Sequence, residues 1–245
     1  MKKSKTFGLI GKNIDYSFSK RFFIKKFEKE NLNHSYTNFD IKNLSNIESI
    51  LQNDKLSGFN VTIPYKEDII KFLDEIDEVA TTIGAVNTIK KIDNKNIGYN
   101  TDHLGFEKSL LSLTEKKKPK NALILGSGGA SKAIKYVLKK LNINYKTVSR
   151  DIGKSEFIYE NLNNEIINRF KLIINCSPVG TFPKIKNCPN IPYNSLTKEH
   201  ILYDLVYNPI ETLFLKKGKE LGCKTKNGLE MLEIQANESW KIWNN

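Results

Sequence analysis

The sequence predicts an α/β protein built as an open α/β half followed by a Rossmann-like half, with a cleft between them. Three observations carry this reading. Short strand-like apolar runs alternate with helix-period segments from end to end, which is the pattern of parallel sheets covered by helices. A glycine turn stands between a buried strand and a helix at Ala122–Ser131. The length of 245 residues leaves room for two domains of ordinary size.

Thr6 to Ile10 reads as the first strand, and Ser17 to Asn31 as an amphipathic helix with Phe22, Phe23 and Phe27 on its inner side. Tyr36 to Phe39 is a second short strand and Leu44 to Leu51 a second helix. Gly58 to Ile63 is a third strand, stopped by Pro64. A helical pair runs through Ile83, Ala85 to Ile92 returns as strand, and this half ends near Asp102. Leu104 to Leu113 is a linking helix, followed by Lys116-Lys117-Lys118-Pro119-Lys120 as a solvated loop. Ala122 to Leu125 is a buried strand, Ala130 to Leu141 a helix, and Tyr145–Ser149, Leu172–Asn175 and Ile201–Leu205 are further strands. The last helix, Leu229 to Trp243, is expected to pack back on the first half. Domains are thus expected at 1–101 and 102–227, with 228–245 as the returning helix.

Composition narrows the function. Apolar residues make up 39% and charged residues 27%, enough apolar material for a core. No apolar run approaches the roughly 20 residues that span a bilayer. Met1-Lys2-Lys3-Ser4-Lys5 has the charge of a signal n-region, but Phe7–Ile10 behind it is too short to complete one. A cytoplasmic protein is expected, with no membrane partner. The net charge of +12 raises the question of nucleic acid. Its bases are almost all Lys, however, and Arg occurs only at Arg21, Arg150 and Arg169. Readers of base edges favour the Arg fork, so no nucleic-acid partner is expected. Cys176, Cys188 and Cys223 are odd in number and lack C-x-x-C spacing, which points to reduced thiols and no zinc site. No metal is expected.

Around Gly126-Ser127-Gly128-Gly129-Ala130-Ser131 the chemistry is explicit. Gly126 permits the tight turn, Gly128 and Gly129 let backbone approach a pyrophosphate, and the helix N-terminus favours its charge. Ser131 replaces the third glycine of the usual fingerprint and is small enough for close packing. At the end of the next strand stands Ser149-Arg150-Asp151, then Lys154. Arg150 suits a 2′-phosphate and so NADP; Asp151 would repel that phosphate, unless it caps the turn that follows. Gly153-Lys154-Ser155 is no P-loop, because the first glycine of that motif would fall on Val148.

Four polar clusters fall where strands end or helices begin in the first half: Ser17-Phe18-Ser19, Asn60 to Lys66, Gly84 to Thr88, and Gly98 to Asp102. Each taken singly has a structural explanation, such as an N-cap or a turn. In this order ahead of a dinucleotide turn, and followed by Asn175-Cys176-Ser177-Pro178, Tyr203 to Pro209 and Asn227-Gly228-Leu229-Glu230-Met231, the chain resembles the shikimate dehydrogenase family over nearly its whole length. The resemblance implies a substrate domain joined to an NADP-binding Rossmann domain. It also implies reversible NADPH-dependent reduction of 3-dehydroshikimate to shikimate, in the route to chorismate and the aromatic amino acids. On the matching positions it implies Lys66 and Asp102 as the catalytic pair, and Ser17 and Ser19, assisted by Tyr207, as holders of the substrate carboxylate. Thr62, Asn87 and Gln235 match groups that bind the ring hydroxyls. Gly126, Ser127, Gly128, Gly129, Ala130, Ser131, Ser149 and Arg150 match the NADP site, and Gly228 and Met231 the nicotinamide end.

Those residue types suit the reaction. Ketone reduction needs a hydride on carbon and a proton on oxygen, and a Lys–Asp pair provides the proton machinery. Whether Lys66 donates the proton or anchors the alkoxide stays open. The family often has Asn-Arg-Thr where this chain has Ser149-Arg150-Asp151, which keeps a quinate/shikimate dehydrogenase that uses NAD as the alternative; a dinucleotide-binding sensor is a third reading. The small-molecule enzyme is expected as a monomer or homodimer. His103 is set aside as a partner of Asp102, because neighbours at a helix start point apart. His34 and His200 have no partners at metal spacing, and Cys176, Trp240 and Trp243 read as packing residues.

Overall fold

The computed structural model describes residues 4–15, 17–114 and 118–245. Met1, Lys2 and Lys3 of the basic opening, and Lys116 and Lys117 of the lysine run, lie outside the described residues. In chain order the first elements are β1 (Thr6–Gly11), α1 (Phe18–Lys29), β2 (Ser35–Asp40), α2 (Ile47–Leu51) and β3 (Leu56–Val61). A 3-10 turn at Asp68–Phe72 leads to β4 (Glu75–Ile76), α3 (Glu78–Ile83), the pair β5 (Thr88–Ile92) and β6 (Lys95–Tyr99), and α4 (Asp102–Thr114). There follow β7 (Asn121–Leu125), α5 (Gly129–Lys140), β8 (Asn144–Ser149), β9 (Phe157–Ile158), α6 (Asn164–Arg169) and β10 (Leu172–Asn175). The last are β11 (Ile201–Asp204), α7 (Leu213–Glu220), β12 (Lys224–Lys226) and α8 (Leu229–Asn244). The chain divides into two compact units, Met1–Leu104 with Leu232–Asn245, and Gly105–Met231.

The first unit holds a mixed sheet in the order β2-β1-β3-β5-β6-β4. β1 runs parallel to β2 and β3, while β5 is antiparallel to both β3 and β6. Alternation along β1 sends Phe7 and Leu9 to one face and Ile10 to the other. On the first face α1 presents Phe23 and Phe27, and Ser17 caps the helix by accepting from the Lys20 N–H. Trp243 from α8 stacks on Phe7 at 4.6 Å between centroids, and Phe23 stacks on Tyr36 at 4.9 Å. The Trp243 indole donates to the Ile89 carbonyl at 2.9 Å, which satisfies the one polar group this ring buries.

The sequence reading missed the β5–β6 hairpin and the short β4. Asp93 and Asn94 take positive φ of 48° and 63°, the two-residue hairpin turn that these residue types tolerate. β5 begins at Thr88, not Ala85, because Val86 N–H is drawn to the Lys66 carbonyl and Asn87 N–H to that of Tyr99. The second helix is likewise shorter than expected, with Leu44 to Asn46 forming turns before Ile47.

The second unit holds a wholly parallel sheet in the order β12-β11-β10-β7-β8-β9. Counted within the unit, this is the doubly wound order whose strand direction of progress reverses between β7 and β10. Ala122 to Leu125 are fully buried, as expected of a strand covered on both faces. One face packs Phe106, Leu110, Ile134 and Val137, and the other Ile167, Phe170, Phe214 and Leu215. β9, α6 and β12 went unread in the sequence because they are short, and α7 went unread although Phe214, Leu215 and Gly218 put its buried residues on one face.

Trp243→Ala is expected to cost the first unit about 3–5 kcal/mol by emptying a packed aromatic site. Urea unfolding followed by Trp240 fluorescence reads that unit alone, since Trp240 lies within it. An unchanged midpoint would show that the aromatic cluster does not hold α8.

Candidate active site

Lys66 and Asp102 form the most demanding contact of the first unit. The Lys66 Nζ donates to Asp102 Oδ2 at 2.5 Å, with side chains only 14% and 6% exposed. Burying two charges is tolerable only with close pairing and further hydrogen bonds. Lys66 is placed by its neighbours: Tyr65 is buried and donates through its hydroxyl to the Ile41 carbonyl at 2.7 Å, and the Lys66 carbonyl accepts from Val86 N–H. Asp102 opens α4, yet the side chain that serves the helix start is Asn100, whose Oδ1 accepts from His103 N–H. The Asp102 carboxylate is thereby left to Lys66 and to Asn87.

Asn87 is the hub. Its Nδ2 donates to Asp102 Oδ1 at 2.9 Å and to Gln235 Oε1 at 3.2 Å, and its Oδ1 accepts from Thr101 N–H at 2.7 Å. Behind it Thr88, Thr101 and Ser239 are fully buried and share hydroxyl contacts of 2.7 to 3.4 Å. Asn60 joins them, donating to Ser239 Oγ at 3.1 Å and accepting from the Tyr36 hydroxyl at 2.8 Å. Sequence reasoning singled out Lys66, Asn87, Asp102 and Gln235, which the structure brings together. It did not single out Ser239 and Tyr36. The available signal was the spacing of Gln235, Ser239 and Trp243, one helical face carrying two polar groups on an otherwise packed helix.

The other expected residues are placed as follows. Ser17 donates to Asn38 Oδ1 at 3.3 Å besides capping α1; Ser19 lies in the first turn of α1; Thr62 is half-buried at the end of β3 beside Gly11. Tyr207, Gly228 and Met231 belong to the second unit. Gly228 lies so close to Leu205 that a Cβ would collide with its carbonyl oxygen, and Met231 is buried in the core with Phe106 and Tyr203.

In the second unit the glycine turn leaves β7 at the point where strand order reverses, which is where open sheets of this class take ligands. Gly126 has φ of 111°, and a Cβ there would lie 3.1 Å from Ser177 N. Gly128 faces open space and has no side chain to cap α5. The first turn of α5 therefore keeps room for an anion at its positive end. Ser131 is buried and donates back to the Gly128 carbonyl at 2.7 Å, filling the third-glycine position without a clash. These features fit a dinucleotide pyrophosphate. At the end of β8, Ser149 is spent on the loop itself, donating to the Asp151 carbonyl, while Arg150 is exposed. Asp151 accepts from Gly153 N–H at 3.0 Å and pairs with Lys154 at 3.5 Å, so its carboxylate caps the turn.

The residues set aside have structural roles. His200 is buried, its Nδ1 accepting from Thr197 N–H and its Nε2 facing the Ile167 carbonyl, and burial lowers its pKa. His103 Nδ1 lies 2.7 Å from the Asn100 carbonyl, and His34 packs edge-on to Phe7 and Phe27. Burial pushes the Cys176 thiol up, which suits a packing residue better than a nucleophile. Among the described residues no group of His, Cys, Asp and Glu is placed to hold a metal, and no helix is long and apolar enough to cross a membrane.

Residues 9–89 match the family model described as the shikimate dehydrogenase substrate binding domain. Over nearly its whole length the chain is similar to the shikimate dehydrogenase (NADP(+)) of Methanococcus maripaludis, at 41% identity over 98% of this chain and 92% of that one. The chain belongs to the shikimate dehydrogenase family. Its fold resembles a shikimate dehydrogenase crystallised with NADP+, with a TM-score of 0.87 at 36% identity, covering 98% of this chain and 90% of that one. It also resembles the Thermus thermophilus family member crystallised with NADP(H) and shikimate, with a TM-score of 0.86 at 28% identity over 98% and 93% of the two chains. The family model spans Ser17, Ser19, Thr62, Lys66 and Asn87, whereas Asp102 and Gln235 lie beyond it.

One further group at the strand ends titrates in an accessible range. Asp204 is fully buried, and desolvation raises its carboxyl from 3.8 to about 6 despite bonds from Thr212, Val206 and Asn175. A raised carboxyl pKa favours the protonated folded state, so its stabilisation is present below about pH 4 and lost as pH rises through about 6. Asp204→Asn mimics the protonated form. Between pH 4 and 7 wild type should lose roughly 2 kcal/mol relative to this variant. Circular dichroism in urea would measure it, and parallel pH courses would show that Asp204 does not titrate there.

Proposed function

We propose that this chain catalyses the reversible NADPH-dependent reduction of 3-dehydroshikimate to shikimate, serving aromatic biosynthesis, with Lys66 and Asp102 as its catalytic pair. The observation that carries the proposal is the 2.5 Å Lys66–Asp102 contact, its second carboxylate oxygen held by Asn87 at 2.9 Å. Family membership and the relatives' NADP dependence support the same reading.

When bound, NADPH supplies the hydride that reaches the carbonyl carbon. Gly126 to Ser131 would hold its pyrophosphate at the first turn of α5, and Arg150 would meet the 2′-phosphate with a charge-assisted contact. Asp151 does not oppose this, because Gly153 N–H and Lys154 neutralise it in its cap. Gly228 and Met231 are the residues that would border its nicotinamide end.

Lys66 acts at the substrate oxygen. Its Nζ gives a proton to, or holds, the oxygen as negative charge develops there. Asp102 keeps the ammonium aimed, and Asn87 keeps Asp102 from rotating away. Ser17 and Ser19, with Tyr207, take the substrate carboxylate, while Thr62, Asn87 and Gln235 read ring hydroxyls. A site built from hydroxyl-reading groups discriminates strongly against analogues that lack the hydroxyl.

The direct test is absorbance at 340 nm with shikimate or quinate and either NADP or NAD. Shikimate oxidation with NADP well ahead of the other pairs is expected. Comparable rates with quinate or NAD would move the protein to the broader relative, and no turnover with cofactor still bound would leave a sensor. Lys66→Ala should cut turnover at least about 100-fold while cofactor affinity stays near wild type. Ordinary turnover in that variant would overturn the assignment. Arg150→Ala should weaken NADP binding about tenfold and NAD binding little; equal losses would mean that Arg150 does not meet the 2′-phosphate.

A further inference from the structure

The stretch of chain that delivers Ser17 is pinned from outside itself. Between β1 and α1 it leaves Gly11 and passes Asn13 at a φ of 56°, a conformation that asparagine tolerates. Main-chain donors in such a turn must find partners elsewhere. Asp40, the last residue of β2, meets two of them: its Oδ1 accepts from Asn13 N–H at 2.9 Å and its Oδ2 from Ile14 N–H at 3.0 Å. Two residues earlier on the same strand, Asn38 Nδ2 donates to the Ile14 carbonyl at 2.9 Å. One strand thus holds both main-chain polar groups of Ile14, a residue only 7% exposed.

The sheet sets this reach. β2 is an edge strand running parallel to β1, with Leu9 opposite Asn38 and Gly11 opposite Asp40. Side chains two apart on a strand share a face, so Asn38 and Asp40 meet the chain together as it leaves the end of β1. The Ile14 side chain completes the fix by joining the cluster of Phe7, Phe23 and Trp243. From the other flank Lys12 N–H donates to the Ile63 carbonyl at 3.2 Å. A Cβ on Gly11 would meet Thr62 at 2.5 Å and Ile14 at 2.7 Å, so the glycine lets both close in on one point.

Ser17 is coupled to this clasp through the main chain. Its N–H donates to the Ile14 carbonyl at 3.0 Å, the same oxygen that Asn38 holds. That carbonyl can only accept, so Asn38 Nδ2 faces it and Asn38 Oδ1 is left to take the Ser17 hydroxyl at 3.3 Å. The hydroxyl contact is long and is the one that a bound carboxylate replaces. The bonds to Asn13 and Ile14 and the Ser17 N–H bond involve other atoms and persist when the Ser17 proton turns to a ligand.

Resting on the function proposed above, we propose that Asn38 and Asp40 are positioning residues for the substrate carboxylate, clasping the Ile14 main chain and so holding the Ser17 hydroxyl where the carboxylate must land. A hydroxyl on a loop grips a ligand well only if its direction is set beforehand, because ordering the loop on binding subtracts from affinity. Neither residue touches the reacting atoms.

Asp40→Asn is the sharpest test, because charge and position predict opposite signs. The amide keeps the size of the carboxylate but turns an NH2 toward a main-chain N–H, so one of the two bonds is lost. Removing a negative charge from a loop that grips a carboxylate would by itself lower the KM for shikimate. Loosening the loop should instead raise it about tenfold. Asn38→Ala removes the bond to the Ile14 carbonyl without changing charge and should raise the KM by a similar factor; it carries the test alone if Asp40→Asn does not fold. Thermal midpoints within a few degrees of wild type check folding. In both variants kcat and the KM for NADP should stay within about twofold, since the Lys66–Asp102 pair and the glycine turn are untouched; a general loosening of the first unit would lower kcat as well. In a Ser17→Ala background each change should add less than about twofold, because the clasp acts through that hydroxyl. An unchanged or lowered KM for shikimate in the folded variants, a parallel loss of kcat, or full additivity with Ser17→Ala would overturn the proposal. Wild-type protein that neither binds nor oxidises shikimate would overturn the functional reading beneath it, an outcome distinct from variants that behave like an active wild type.

Discussion

A lysine and an aspartate held 2.5 Å apart and largely out of water set the terms for the rest of the first unit. Each charge loses hydration on burial, and direct attraction offsets that loss only when the remaining lone pairs and protons are also met. Asp102 has one oxygen on Lys66, so the other needs a donor that cannot swing away. Asn87 is that donor, and it is itself held by Thr101 N–H, a main-chain group with no freedom to leave. The layer of Thr88, Thr101 and Ser239 behind it follows from the same demand, because an amide buried at the centre of a pair must have every partner satisfied in turn. The network is therefore as much a condition for the ion pair as a consequence of the fold.

The second unit solves a different problem by leaving groups unused. At the start of α5 no side chain caps the helix, Gly128 faces open space, and Ser131 turns its hydroxyl back onto the Gly128 carbonyl. Ser17 caps α1, Asp77 α3, Asn163 α6 and Thr212 α7, whereas α2, like α5, starts without a side-chain cap. What sets α5 apart is its place: donors left free at the switch point of a doubly wound sheet favour an anion there. Asp151 illustrates the same economy of local bonding. Read in the sequence it is either a carboxylate opposing a phosphate or a cap for the turn that follows; in the structure it is the cap, with Gly153 N–H and Lys154 already on it.

Much of this was legible beforehand where a residue's chemistry and its place in the pattern agreed. Long periodic segments such as α1, α5 and α8, and the buried strand Ala122–Leu125, announce themselves through apolar spacing. Lys66, Asn87 and Asp102 stood out only through the order of several polar clusters that resembles the family, since each cluster taken singly reads as a cap or a turn. β4, β9 and β12 did not, since two or three residues cannot show a period, and the β5–β6 hairpin was hidden by a polar Asp-Asn turn flanked by lysines. Tyr36 and Ser239 were invisible for another reason. A tyrosine in a strand and a serine in a helix look like ordinary packing until the third dimension shows what their hydroxyls meet.

That last point bears on why α8 matters to the first unit. Its inner face combines Gln235 and Ser239 with Ala236 and Trp243, so the helix seals an apolar cluster and a polar one together. An all-apolar face would bind the aromatic cluster as well, but would leave Asn60 and Thr88 without the Ser239 oxygen and Asn87 without Gln235. An unsatisfied buried amide costs more than a typical hydrogen bond contributes. Mixed polarity on one helical face thus selects a single docking register: Trp243 must reach the Ile89 carbonyl while Ser239, one turn earlier, meets Thr88. Sliding the helix by one residue would break both at once, so the two anchors together fix where Gln235 stands beside Asn87.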